Sequence, residues 1–144
     1  MKYFLFLLLA LISTISFSQE VPEEKPLKPV EGTPREEIYD LTEVKAEFPS
    51  DNKNGAKALE AYIFKNINYP QIAIDNNDQG NVYLQFVIEK DGSIRDIVVL
   101  LGVSKELDNE AKRLVRNMPK WIPAEVYGKK VVSRYVLPIR FKLN

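Results

Sequence analysis

The 144-residue chain contains no cysteine and no histidine. Without cysteine there is no disulfide framework, and no thiolate to serve as nucleophile or metal ligand. Without histidine there is no imidazole titrating near neutral pH, no Cys/His zinc site, and no Ser-His or Cys-His pair. An excess of charge is missing too, since 20 Lys and Arg balance 20 Asp and Glu. A nucleic-acid binder needs a basic surface to neutralise phosphates, so nucleic acid is not an expected partner. Only carboxylate chemistry or a hard-cation site survives these absences. Glu89, Lys90, Asp91 and Asp96 do gather around one turn, but turn acids normally serve backbone geometry and solvation. No phosphate loop or cofactor box appears. The chain reads as a non-enzyme with no cofactor and no metal site.

What is present begins with an export signal. Lys2 supplies a positive start, Tyr3 to Ile12 is almost unbroken apolar sequence, and Ser13, Thr14, Ser16 and Ser18 lead to a cleavage point before Gln19. A retained membrane anchor is the competing reading. Tyr3–Phe17 would make about 22 Å of helix at ~1.5 Å per residue, short of a hydrocarbon core of ~30 Å. Both readings export the rest of the chain to the periplasm, and the first is preferred. Residues 1–18 are therefore read as a signal peptide.

Residues 19–43 carry Pro22, Pro26, Pro29 and Pro34 in polar surroundings and read as a disordered, Pro-rich, acidic tether. From Gln19 to Ser50 nine acids face four bases, whereas residues 51–144 hold eleven acids and fifteen bases. A solvated tether before a mildly basic domain, residues 44–144, accounts for the contrast.

Within that domain Val44–Phe48 is a short alternating stretch. Leu59, Tyr62, Ile63 and Ile67 recur at helical spacing, which predicts a helix from Ala56 to about Asn66. Tyr69-Pro70 breaks it, and Pro70 suits the start of a short second turn carrying Ile72 and Ala73. Asn81–Glu89 alternates cleanly, Asp91-Gly92 comes next, and Ile94–Leu101 is a second β-rich run, which together predict a hairpin. Ser104 is the expected cap of a helix whose apolar stripe is Leu107, Ala111, Leu114, Val115 and Met118, and Pro119 stops it. A final strand runs from about Lys130 to Leu143. Its core face should be Val131, Tyr135, Leu137, Ile139, Phe141 and Leu143, and its other face Val132, Arg134, Val136, Pro138, Arg140 and Lys142.

This order predicts an α+β domain with two helices on one face of a three-stranded antiparallel sheet, strand order 2-1-3. The last strand would then be an edge, which agrees with Pro138, since mid-strand proline is tolerated mainly at edges. Two readings of that edge stand. Arg134, Arg140, Lys142 and Pro138 are guards against unwanted pairing, or the edge accepts a partner's extended segment by strand addition.

An ordered set of short motifs bears on the choice: Tyr69-Pro70, Gln79-Gly80, Val82–Ile88, Asp91-Gly92-Ser93-Ile94, Leu107, Glu110-Ala111, Met118-Pro119-Lys120-Trp121, Pro123 and Leu137-Pro138-Ile139-Arg140-Phe141. The set resembles the TonB C-terminal domain and covers roughly Val44 to Leu143. The resemblance implies a periplasmic domain that grips the TonB box, an extended segment of outer-membrane TonB-dependent transporters, with its last strand. It also implies coupling to an inner-membrane proton-motive motor complex. By that resemblance the partner-binding residues are Tyr69, Pro70, Val132, Arg134, Val136, Pro138 and Arg140. Tyr69-Pro70 also reads as a helix stop with a packed ring, and Trp121 as core or a lid on the sheet rather than a contact. The chain departs from the family in its short, signal-like apolar segment, its brief tether and its lack of histidine, so binding carries over better than energy coupling. A self-associating periplasmic module, a homodimer through the same edge, is the alternative.

Overall fold

The structure is a computed structural model that describes residues 36–40, 42, 44–51 and 53–144. The signal-peptide reading of residues 1–18 and most of the tether lie outside the described residues. In chain order the elements are β1 (Ile38–Tyr39), α1 (Gly55–Asn66), α2 (Gln71–Asp75), β2 (Gly80–Ile88), β3 (Ile94–Leu101), α3 (Lys105–Arg116), β4 (Glu125–Val126), β5 (Lys129–Lys130) and β6 (Val132–Phe141).

Local chemistry explains where the helices start and stop. The Asn54 side chain accepts from the Lys57 N–H at 3.1 Å, satisfying one of the first-turn donors of α1. Ser104 caps α3 in the same way, accepting from the Leu107 N–H. Glu106 and Asp108 lie in the first turn of α3 and Arg113 and Arg116 in its last, which suits the helix dipole at both ends. Pro70 stands at the N-cap of α2 with extended backbone and leaves α1 no path to continue.

The hairpin β2–β3 turns through Asp91-Gly92. Asp91 accepts from both the backbone N–H and the hydroxyl of Ser93, at 2.9 and 2.6 Å. These two donors hold its carboxyl down to about 2, with Lys120 adding a smaller pull in the same direction. Gly92 has a φ of +84°, and a Cβ placed on it would lie 2.0 Å from the Trp121 carbonyl oxygen. The Trp121 N–H donates to the Gly92 carbonyl at 2.9 Å. The turn is thus pressed directly onto the backbone beyond α3, and only glycine fits.

Along β2 the side chains of Val82, Leu84, Phe86 and Ile88 point inwards and are fully buried. They meet Leu137, Ile139 and Phe141 of β6, Leu107, Ala111, Leu114 and Val115 of α3, Leu59 of α1 and Ala73 of α2 in one core. Each large apolar side chain buried there contributes roughly 1.5–3 kcal/mol. Trp121 belongs to this core. Its ring meets Phe48 edge-on at 5.7 Å, Phe86 at 5.6 Å and Tyr135 at 4.8 Å.

Four features correct the expectations. The sheet is four-stranded and mixed, in the order β1-β6-β2-β3, not three-stranded and antiparallel. The three long strands keep β2 in the middle, but Ile38 and Tyr39 pair parallel with Val132 and Ser133 and cover the start of β6. Residues read as tether therefore join the sheet, because a local pattern cannot tell a solvated segment from one docked on a distant edge. The described residues form three helices, since Gln71–Asp75 closes its own turn. The last strand starts at Val132, and Lys129–Lys130 instead form a small hairpin with Glu125–Val126. Tyr127 and Gly128, with φ of 51° and 70°, make that turn. The alternation also breaks at its start, where Val131, Val132 and Ser133 are all buried.

Glu110 belongs to one of the family-like motifs, but its role comes from the packing. It is buried on α3, accepts from the Asn68 N–H and from Arg113 Nε and Nη2 at 2.7 Å each, and Arg113 Nη2 reaches the Asn66 carbonyl at 2.8 Å. This cluster ties the end of α1 to α3.

These contacts have two measurable consequences. Glu110→Ala strands the Asn68 N–H and the Arg113 guanidinium, and should lower unfolding free energy by about 2–3 kcal/mol in a urea titration. Gly92→Ala should cost about 3 kcal/mol or more, with the midpoint reduced and the denaturant slope unchanged.

Candidate binding edge and groove

The antiparallel ladder between β2 and β6 is continuous over nine pairs, from Gly80↔Phe141 to Ile88↔Ser133. Pro138 stands inside it opposite Tyr83. A proline has no N–H to give, so it fits mid-strand where its nitrogen faces away from the neighbour. Alternate residues share that orientation. On this parity the outward-facing peptide groups belong to Arg134, Val136, Pro138 and Arg140, while those of Tyr135, Leu137 and Ile139 serve the ladder to β2.

The far side of β6 is covered by β1 only at Val132 and Ser133. Beyond Ser133, no named strand pairs with that side among the described residues. A groove of about 620 Å³ runs beside the open half. Its floor and one wall are Leu137, Ile139 and Tyr69, and its other wall is α1, through Leu59, Ile63 and Phe64. Phe64 is 85% exposed, an uncommon state for so large an apolar ring. Glu60, Arg140 and Lys142 supply charge around the groove. A smaller hollow of about 390 Å³ lies towards β1, between Asp40, Thr42 and Ala46 on one side and Ser133–Val136 on the other.

The structure sorts the expected site residues into three groups. Tyr69, Pro138 and Arg140 come together in the groove. Arg134 and Val136 line the hollow, and Arg134 Nη1 binds Asp40 Oδ1 at 2.6 Å. Val132 stands apart, fully buried and paired with Ile38 of β1. Pro70 is not among the groove's lining residues and serves as the N-cap of α2. Tyr69 has a structural part as well. Its hydroxyl donates to the Asp78 carbonyl, its ring meets Phe141 edge-on at 5.7 Å, and burial pushes its phenol pKa up. The α1 wall is what sequence reasoning missed. Phe64, directly after Ile63, was its one signal, since the pair makes the apolar stripe wider than a single core contact needs.

The model of the family described as the C-terminal part of the Gram-negative bacterial TonB protein matches residues 65–143, over half of the chain. The chain belongs to this TonB C-terminal family. The family is transport-related and non-enzymatic, and its domain lies on the periplasmic side. Two NMR solution structures of the Helicobacter pylori TonB C-terminal domain are similar to the chain. One is 21% identical with a TM-score of 0.42, covering 62% of this chain and 82% of that one. The other is 20% identical with a TM-score of 0.40, covering 62% and 96%. No curated protein matches the chain at a significant level. The matched residues include all of β2, β3, α3 and β6, the end of α1 and Tyr69-Pro70.

The parity of β6 is open to direct test. Val136→Pro places a second proline on the outward parity and should cost little stability, about 1 kcal/mol or less, while Leu137→Pro removes a bond to β2 and should cost about 3 kcal/mol or more. Thermal melts of the two variants separate the cases, and equal losses would show that the parity is assigned wrongly.

Proposed function

We propose that this chain binds an extended segment of an outer-membrane TonB-dependent transporter in the periplasm, by strand addition to the open half of β6. The carrying observation is the edge from Val136 to Phe141, which no named strand pairs on its far side among the described residues and which lies beside an apolar groove. Main-chain bonds along such an edge give affinity, and alternate side chains of the incoming strand find pockets. Here those side chains would enter the groove between α1 and β6, against Phe64, Ile63 and Ile139. Membership of the TonB C-terminal family supports the reading, as does the basic character of Arg140 and Lys142 at the groove.

Delivery of the domain by the apolar segment of residues 1–18 belongs to the same proposal. Among the described residues no helix is long and apolar enough to cross a membrane. Cleavage after residue 18 would make the protein a soluble adaptor. Retention of that segment would allow coupling to a proton-motive motor complex in the inner membrane. N-terminal sequencing of the exported protein distinguishes the two.

A second reading has its own observation. The outer edge of β3 also has no pairing strand among the described residues, and Val98, Leu100 and Leu101 stand about half exposed along it. A second copy pairing there would give a homodimer.

The test is capture from outer-membrane extract by the full exported chain carrying a photo-cross-linker at Val136. Transporter peptides should be recovered from the cross-link, and Val136→Pro should reduce capture at least tenfold while the domain stays folded. Recovery of no transporter peptide, together with a dimer in sedimentation that Val136→Pro leaves intact, would favour the β3 reading. Capture that survives the second proline undiminished would refute strand addition at this edge.

A further inference from the structure

The start of β6 is already occupied, and by the chain itself. Ile38 and Tyr39 lie parallel to Val132 and Ser133, so this short segment sits where an added strand would sit. It is held at both ends by charge. Asp40 meets Arg134 at 2.6 Å, and Glu36 pairs with Lys90 at the far end of the hairpin. Asp40, Thr42 and Ala46 share the hollow beside Ser133–Val136.

The attachment is slight. It consists of a two-residue ladder, two exposed ion pairs and the partly buried Tyr39 against the margin of the core, and exposed ion pairs contribute little. Ile38 and Tyr39 are only half-buried. Segments with few buried contacts and short ladders open at a small fraction of the global unfolding free energy. Being covalently linked, this one also returns at high effective concentration.

We propose that Glu36–Asp40 is a detachable strap that occupies the head of the β6 edge and must leave before a partner strand can pair along its full length. This rests, for the competition alone, on the reading of β6 as the acceptor edge. With the strap closed, a partner reaches about six residues, Val136–Phe141. With it open, all ten residues of β6 are reachable. The apparent affinity of a long segment is then the intrinsic affinity reduced by the fraction of molecules with the strap open. Short segments pay no such penalty. The strap thus selects between partners by length, and gives the acidic segment before the domain a task beyond spacing.

The absence of cysteine makes the test clean. An Ile38→Cys, Val132→Cys double variant places the two thiols on directly paired residues, so that oxidation locks the strap and reduction frees it. Ten-residue and six-residue fluorescent peptides from the periplasm-facing segment of an outer-membrane transporter are titrated onto both forms of the full chain. The ten-residue peptide should bind the oxidised form at least tenfold more weakly than the reduced form, and the six-residue peptide should bind both alike. Equal binding of the long peptide to both forms overturns the proposal, and so does a stronger binding to the locked form, which would make the segment a support for the edge.

Detachment has a second readout that needs no partner. Val132→Cys and Val82→Cys, each a single thiol at a fully buried site, are compared for labelling by a soluble thiol reagent under native conditions. Labelling at position 132 should be at least a hundredfold faster than at position 82 in the centre of the sheet. Equal rates mean that the segment leaves only when the whole domain unfolds, and overturn the proposal. If neither peptide binds either form, the acceptor reading fails, and the labelling ratio alone decides whether the strap detaches.

Discussion

The nine-pair antiparallel ladder between β2 and β6 is the interaction on which the rest depends. It joins strands separated by β3 and α3 in sequence, so its closure sets the path of both connections. It also turns Val82, Leu84, Phe86 and Ile88 towards the same side as Leu137, Ile139 and Phe141, which creates the surface that the helices cover. One residue in the ladder has no N–H. Pro138 forces β6 to present its complete peptide groups to β2 on one parity and leaves the other parity facing out. The candidate acceptor edge is thus a by-product of how the core strand is anchored.

Three secondary contacts hold the edge in usable form. Gly92 lets the hairpin turn lie against Trp121, whose ring closes the end of the core between Phe48, Phe86 and Tyr135. The buried Glu110, with Arg113, fixes the end of α1 to α3 and so sets the height of the groove wall. Tyr69 spans from the Asp78 carbonyl to the Phe141 ring and keeps the segment after α1 against β6. The groove between α1 and β6 is therefore bounded by parts tied independently to the core. Its apolar lining stays presented to solvent at Phe64 without collapsing.

Opposed charges give the edge a direction. The domain is mildly basic and the segment before it acidic, and the structure brings the two together at Arg134–Asp40 and Lys90–Glu36. An exposed strand edge is an aggregation hazard, and natural proteins cover or charge it. Here the start of β6, Val132 and Ser133, is covered by the chain's own Ile38–Tyr39, while the rest carries Pro138 and Arg140, with Lys142 just beyond its end. Guarding and accepting are compatible, because a guard that is displaced at small cost leaves the edge free for a stronger partner.

Much of this was legible along the chain. The period-2 run from Val82 to Ile88, Asp91-Gly92 and the cap at Ser104 specify the hairpin and α3, because each depends on neighbours within a few residues. Pro138 pointed to an edge for the same local reason. The ordered motifs from Tyr69 to Phe141 were enough to suggest the family that residues 65–143 match. What only the tertiary structure decided depends on groups far apart in sequence. The pairing of Ile38 with Val132, the burial of Glu110 under Asn68 and Arg113, and the meeting of Phe64 with Ile139 across a groove have no periodic signature. Local sequence sets which backbone shapes and faces are favourable. Which faces meet is settled by closure of the whole core, and that is where the covered start and the open remainder of β6 were assigned.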